Sequence, residues 1–234
     1  MKTDILCITA HPDDVELGAG GTVASSVAAG RIVAIVDLTR GELGTRGNPK
    51  IREQEATNSA EILGVAHRDI LDLGDGLFEE TESSLRTVVE RIRHYRPDIV
   101  ITNALKDRHP DHGRGAKLVS RACFLAGLPK FKAGDNGAWR PRALYFMIQD
   151  HYAHPDFVVD ISDHYKKKME AIMAFSSQFH DPNSTEPETK ISSPEFLHFL
   201  EARAREMGRI IGVKYGEGFN VERAPGVKDL SSLL

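Results

Sequence analysis

Ile5-Leu6-Cys7-Ile8-Thr9-Ala10-His11-Pro12-Asp13-Asp14 is the stretch whose reading decides the fold. Ile5 to Ile8 is a short apolar run of the kind that fills a parallel sheet, and Pro12 stops it from continuing as a strand. His11, Asp13 and Asp14 therefore fall at a strand's carboxyl end. In open α/β sheets that edge binds ligands, because the loops there converge above a rigid scaffold. His11 and Asp14 offer an imidazole and a carboxylate, which suits a zinc-type ion that takes nitrogen and oxygen ligands. Asp13 is left over, placed to accept a proton from water beside such an ion.

A second stretch repeats the arrangement. Asp98-Ile99-Val100-Ile101-Thr102 reads as a strand led in by Arg96-Pro97, and the loop after it carries Asp107, Arg108, His109, Asp111 and His112. One of the two histidines completes a three-ligand set while the other faces the reaction, since a catalytic zinc keeps a position open. These residues alone leave open which is which. Asp111 is placed to hold an imidazole in one tautomer or to stabilise its cation. A single His-Pro-Asp is usually just a loop. Two such clusters at strand ends, roughly 100 residues apart, point to a shared metal site.

Strands and helices alternate through the first half: helices over 15–29, 51–63, 83–95 and 112–126, and strands over 32–38, 69–71 and 99–102. This pattern predicts a single-domain, Rossmann-like α/β sandwich spanning residues 1–234, a mostly parallel sheet with helices on both faces and the active site at the strands' carboxyl ends. Further strands are expected at 143–148 and 157–161, and helices at 162–175 and 193–207. Tyr215 to Phe219 reads as a turn. Asp181 to Thr189, with two prolines and two glutamates, reads as a surface loop or a lid. Gly18-Ala19-Gly20-Gly21 invites a dinucleotide-binding reading, but Val23 stands where the third glycine belongs. Close packing of the first helix on the sheet explains these small residues better.

At 234 residues and a formal net charge of −4, the chain suits one soluble α/β domain and argues against nucleic-acid binding, which needs a basic face. Lys166-Lys167-Lys168 reads as the exposed side of an amphipathic helix. Cys7 and Cys123 lie in apolar surroundings, as buried free thiols suited to a reducing cytoplasm. Met1 to Asp4 leads directly into the first strand without a signal peptide, and no apolar run approaches a membrane span, so a cytoplasmic protein without membrane contact is expected.

His11-Pro12-Asp13-Asp14, Thr39-Arg40-Gly41-Glu42 and His109-Pro110-Asp111-His112 together resemble the LmbE/PIG-L-like zinc deacetylases, which remove acetyl from N-acetylglucosamine-containing molecules. With the chain length and the late Ser177-Gln178-Phe179 segment, the likeness is to the bacillithiol-biosynthesis branch, which acts on N-acetylglucosaminyl-malate. The resemblance implies His11, Asp14 and His112 as zinc ligands and Asp13 as general base. It gives His109 the tetrahedral intermediate or the leaving amine, with Asp111 orienting it. Fe2+, Mn2+ or Co2+ suits the same ligands. Arg52 and Glu42 match sugar-binding positions of the family, the simpler use of Arg52 being pairing within its own helix. Arg108 beside the metal suits a dicarboxylate such as malate. Family members that use a late tyrosine find phenylalanine here, in Ser193 to Phe196, which leaves Tyr152 and Tyr215 as substitutes. The implied reaction yields acetate and a free amine, and the implied assembly is a homo-oligomer, a trimer or hexamer. A zinc amidase on another N-acetylglucosamine metabolite and a non-catalytic metal-binding protein are the competing readings.

Overall fold

A computed structural model describes residues 1–233. Strands β1 (Ile5–Thr9), β2 (Val33–Asp37), β3 (His67–Ile70), β4 (Ile99–Thr102) and β5 (Ala143–Met147) run parallel, whereas β7 (Gly216–Val221) is antiparallel to both β5 and β6 (Phe157–Asp160). All seven join one sheet in the order β3-β2-β1-β4-β5-β7-β6. Every residue of β1 is buried, which is why that strand reads as an unbroken apolar run rather than an alternation.

Helices α1 (Asp14–Ala28), α2 (Pro49–Leu63) and α5 (Tyr165–Met173) pack together on one face, and α3 (Glu82–Tyr95) with α4 (Pro110–Ala126) on the other. Cys7, Val15, Val23 and Ile35 belong to the first core; Leu6, Ile8, Ile92 and Leu118 belong to the second. Helix α6 (Pro194–Ile211) covers β6 and β7. The chain leaves β1 for β2 on one side and returns to β4 on the other. This reversal opens a crevice above the carboxyl ends of β1 and β4, the place where open α/β sheets take ligands.

The small residues of α1 are used as expected. A Cβ on Gly21 would lie 2.7 Å from Ile161 side-chain atoms, and one on Gly18 2.7 Å from the Met147 sulfur, so only glycine lets this helix approach the sheet so closely.

Two expectations fail together. Gly216 to Val221 is a strand, not a turn, and Lys168 is buried rather than exposed. The cause is a single ion pair: Lys168 Nζ lies 2.5 Å from the Glu217 carboxylate, which also accepts hydrogen bonds from the backbone N–H groups of Gly21 (3.0 Å) and Thr22 (2.7 Å). A strand reading Gly-Glu-Gly hides its inward face until that partner is known. Cys7 and Cys123 are buried free thiols. Among the described residues, no helix is long and apolar enough to cross a membrane.

Candidate metal centre and catalytic cavity

The crevice deepens into a cavity of about 410 Å3. His11 and Asp13 enter it from the turn between β1 and α1, Asp14 from the first residue of α1, and His109 and His112 from the start of α4. His112 lies in the first turn of α4, and His109 caps that helix, its Nδ1 accepting the Asp111 backbone N–H at 3.3 Å. That bond leaves the ring proton of neutral His109 on Nε2.

The Asp14 carboxylate joins the two motifs. Oδ1 lies 2.9 Å from His112 Nε2, and Oδ2 lies 3.5 Å from His11 Nδ1. The far nitrogen of each ring is held by carboxylates: His112 Nδ1 lies 2.5 Å from Asp107, and His11 Nε2 lies 3.1 Å from Asp75 and 3.2 Å from Asp111. Carboxylates behind the rings are how metal-binding imidazoles are oriented. Two imidazoles and a carboxylate, nearly buried and turned toward one another, make a donor set that fits a divalent ion. The donor atoms of His11, His109 and His112 also lie within 4.8 Å of one another, as do those of His11, Asp75 and Asp111.

Asp13 stands apart from the cluster. Its backbone adopts the left-handed region, with φ 116°, and its side chain turns to Arg52, whose Nη2 donates to Asp13 Oδ2 at 2.9 Å and to the Pro12 carbonyl. Burial pushes the Asp13 carboxyl up to about 7, with the Arg52 guanidinium pulling the other way. Burial also opposes the charge of Asp14, yet His112 and His11 hold its carboxyl well below the usual range. Burial disfavours a cationic His112 too, but Asp14 and Asp107 prevail and raise it to about 9. His109 is lowered by burial and by the neighbouring charges of His11 and His112.

The family described as PIG-L: GlcNAc-PI de-N-acetylase matches residues 6–123, the span that contains both motifs. The chain belongs to the PIG-L family. It is 32% identical to a diacetylchitobiose deacetylase of Thermococcus kodakarensis, over 95% of this chain and 84% of that protein. It is 28% identical to a 4-oxalmesaconate hydratase of Pseudomonas putida, over 75% of this chain and 74% of the other. A probable N-acetyl-alpha-D-glucosaminyl L-malate deacetylase 2 of Bacillus anthracis is 29% identical, over 76% of this chain and 84% of its own length. Identity is thus higher to the chitobiose enzyme than to the malate-glycoside enzyme.

Several PIG-L positions do other work than their motif suggests. Asp111 meets His109 only through its backbone N–H, which donates to His109 Nδ1, and not through its carboxylate. The carboxylate meets His11, the Gly76 N–H (2.8 Å) and Arg114 (2.8 Å) instead. Glu42 does not line the cavity; it accepts the N–H groups of Asp75 (2.7 Å) and Arg40 (3.1 Å), and so holds the loop that presents Asp75. Arg52 is buried in the cavity wall and pairs with Asp13, not within its helix. Gly41 allows this, since a Cβ there would lie 2.5 Å from Arg52 Nη1. Arg108 stands at the mouth, 3.0 Å from Asp150.

Neither substitute tyrosine reaches the cavity: Tyr215 stacks on Tyr165, and Tyr152 is exposed beside a neighbouring cleft. Phe196 does line it. The loop after Phe179 is tied down by Arg46, which donates to Ser184 Oγ at 2.6 Å, and by Glu186, which accepts the Gly47 N–H at 3.0 Å. Thr189, Lys190 and Ile191 then form one wall of the cavity. Asp75, Asn103 and Gln149 escape a sequence reading. Asp75 lies in the Asp72-Leu73-Gly74-Asp75-Gly76 turn, and two lone amides carry no spacing signature.

Proposed function

We propose that this PIG-L protein is a divalent-metal-dependent hydrolase that removes the N-acetyl group of an N-acetylglucosamine glycoside, with N-acetylglucosaminyl-malate of bacillithiol synthesis as its substrate. One observation carries the reading. Asp14 gathers His11 and His112 into a donor set, while Arg52 holds Asp13 out of that set yet in the same cavity. A scaffold that only bound metal would need neither Asp13 nor His109.

His11, Asp14 and His112 would hold a divalent ion, zinc or alternatively Fe2+, Mn2+ or Co2+, which would supply Lewis acidity for attack of water on the amide carbon. Asp13, aimed by Arg52, takes the proton of that water. Neutral His109 donates an Nε2–H hydrogen bond to the developing oxyanion, and the proton that Asp13 took passes to the departing amine. Asp111 acts at one remove, by keeping His11 in place. Collapse yields acetate and a free amine. Arg52 serves the chemistry first, by aiming Asp13, and the sugar second.

Support for the malate aglycone comes from Arg108 and Lys190 at the edge of the cavity, because guanidinium and ammonium groups suit a dicarboxylate, and from the name of the Bacillus relative. The Thermococcus relative favours N,N'-diacetylchitobiose as the competing substrate. Buried thiols at Cys7 and Cys123 accord with a cytoplasmic enzyme, and we place it there as a homo-oligomer, a trimer or hexamer.

The test is acetate release by zinc-loaded protein from N-acetylglucosaminyl-malate, N,N'-diacetylchitobiose and free N-acetylglucosamine, with Asp13→Asn as the blank. The malate glycoside should be turned over with the highest kcat/KM. Preference for the disaccharide would move the substrate while keeping the reaction. Metal-loaded protein that releases acetate from none of the three would discard deacetylation of these sugars.

A further inference from the structure

We infer that Asn103 and Gln149 are positioning residues for Asp14, an amide clamp that fixes how this carboxylate meets a divalent cation. The inference rests on Asp14 being one of the metal-binding residues. Asn103 directly follows β4 and Gln149 lies just beyond β5, so both extend from the rigid centre of the sheet. Both are nearly or fully buried.

Asp14 Oδ2 accepts from the His11 backbone N–H at 2.9 Å and from Asn103 Nδ2 at 3.0 Å. Oδ1 accepts from Gln149 Nε2 at 3.1 Å and faces His112 Nε2 at 2.9 Å. Side-chain amides can be placed in two orientations, but the backbone decides here. The Ala10 N–H donates to Asn103 Oδ1 at 2.8 Å, so Nδ2 is the atom that faces Asp14. The Ala104 N–H donates to Gln149 Oε1 at 3.0 Å, which likewise turns Nε2 to Asp14. Asn103 Nδ2 and Gln149 Oε1 also lie 3.0 Å apart, so the two amides lock each other.

Two N–H donors saturate Oδ2. Oδ1 is therefore the oxygen left turned toward His112, and Asp14 presents a single oxygen to a cation. Amides suit this task because they stay neutral across the working pH range. They remove the rotational freedom of Asp14 without adding charge to the donor set, so less ordering remains to be done when the ion binds. Arg203 fixes the clamp from behind, donating to the Gln149 carbonyl and, at 2.8 Å, to the Leu17 carbonyl on α1.

The test is Zn2+ affinity of the full chain by chelator competition, read beside the urea midpoint of the metal-free protein, for wild type, Gln149→Met and Asp14→Ala. Gln149→Met keeps the bulk and loses the donor. It should bind Zn2+ about 10–100-fold more weakly, and the visible spectrum of bound Co2+ should change. Should the methionine variant fail to fold, Gln149→Asn keeps the polarity but is one methylene too short to reach Asp14. Affinity within twofold of wild type in the folded variant, with Asp14→Ala strongly impaired, would overturn the clamp and leave the donor set standing. Unimpaired binding by Asp14→Ala would overturn both.

Discussion

Asp13 holds a backbone conformation that a non-glycine residue keeps only where its surroundings over-determine it. Arg52 supplies that constraint by gripping both the Pro12 carbonyl and the Asp13 carboxylate, so the strain of the turn and the aim of the carboxylate share one cause. The folded, metal-free protein keeps the Asp13 proton up to about 7, whereas the unfolded chain releases it near 3.8. Between those values the folded state holds the extra proton, so stability falls as pH rises from about 4 to about 7. Asp13→Asn should lack this slope. Urea midpoints of the two metal-free proteins across that range should separate in favour of the variant, and parallel curves would mean that Arg52 already neutralises the carboxylate in full. At the same scale, His112→Ala should strip the metal, whereas His109→Ala should retain it and lose about 10²–10⁴-fold in kcat. Metal analysis showing the reverse would exchange their roles. The two clusters were legible in the sequence because histidine, proline and aspartate recur together after apolar strands. The partners that orient them were not, since Asp75 reaches His11 from a loop remote in sequence and Asn103 and Gln149 are plain amides.

Among the elements, α1 shows what composition can and cannot reveal. Its glycines announced close packing, and Gly21 against Ile161 bears that out. Gly21→Val should cost about 1–3 kcal/mol by overpacking, read as a lower urea midpoint, and Ile161→Ala in the same chain should recover part of it. A neutral Gly21→Val would show that α1 can shift away from the sheet. The parallel strands were legible because burial on both faces makes them continuously apolar. Strand β7 was not, because its central Glu217 is a buried carboxylate whose counterpart lies on another element.

For the molecule as a whole, the Lys168 and Glu217 pair is a tie among α5, β7 and α1, since Glu217 also accepts from Gly21 and Thr22. Lys168→Met would leave a buried carboxylate without its cation, at a cost of roughly 3–5 kcal/mol. Thermal unfolding should show the loss, and adding Glu217→Gln should restore most of it. A single variant as stable as wild type would mean that the three N–H and O–H donors on Glu217 suffice alone.

The donor set and its clamp are rooted in β1, β4 and β5, at the centre of the sheet, where every change is felt in the core. The outer walls of the cavity are different in kind: Leu43 to Thr45 is exposed, and Thr189 to Ile191 rides on a loop fastened by Arg46. Exchanging these two surface segments would therefore reshape the cavity while leaving its sheet-rooted centre in place.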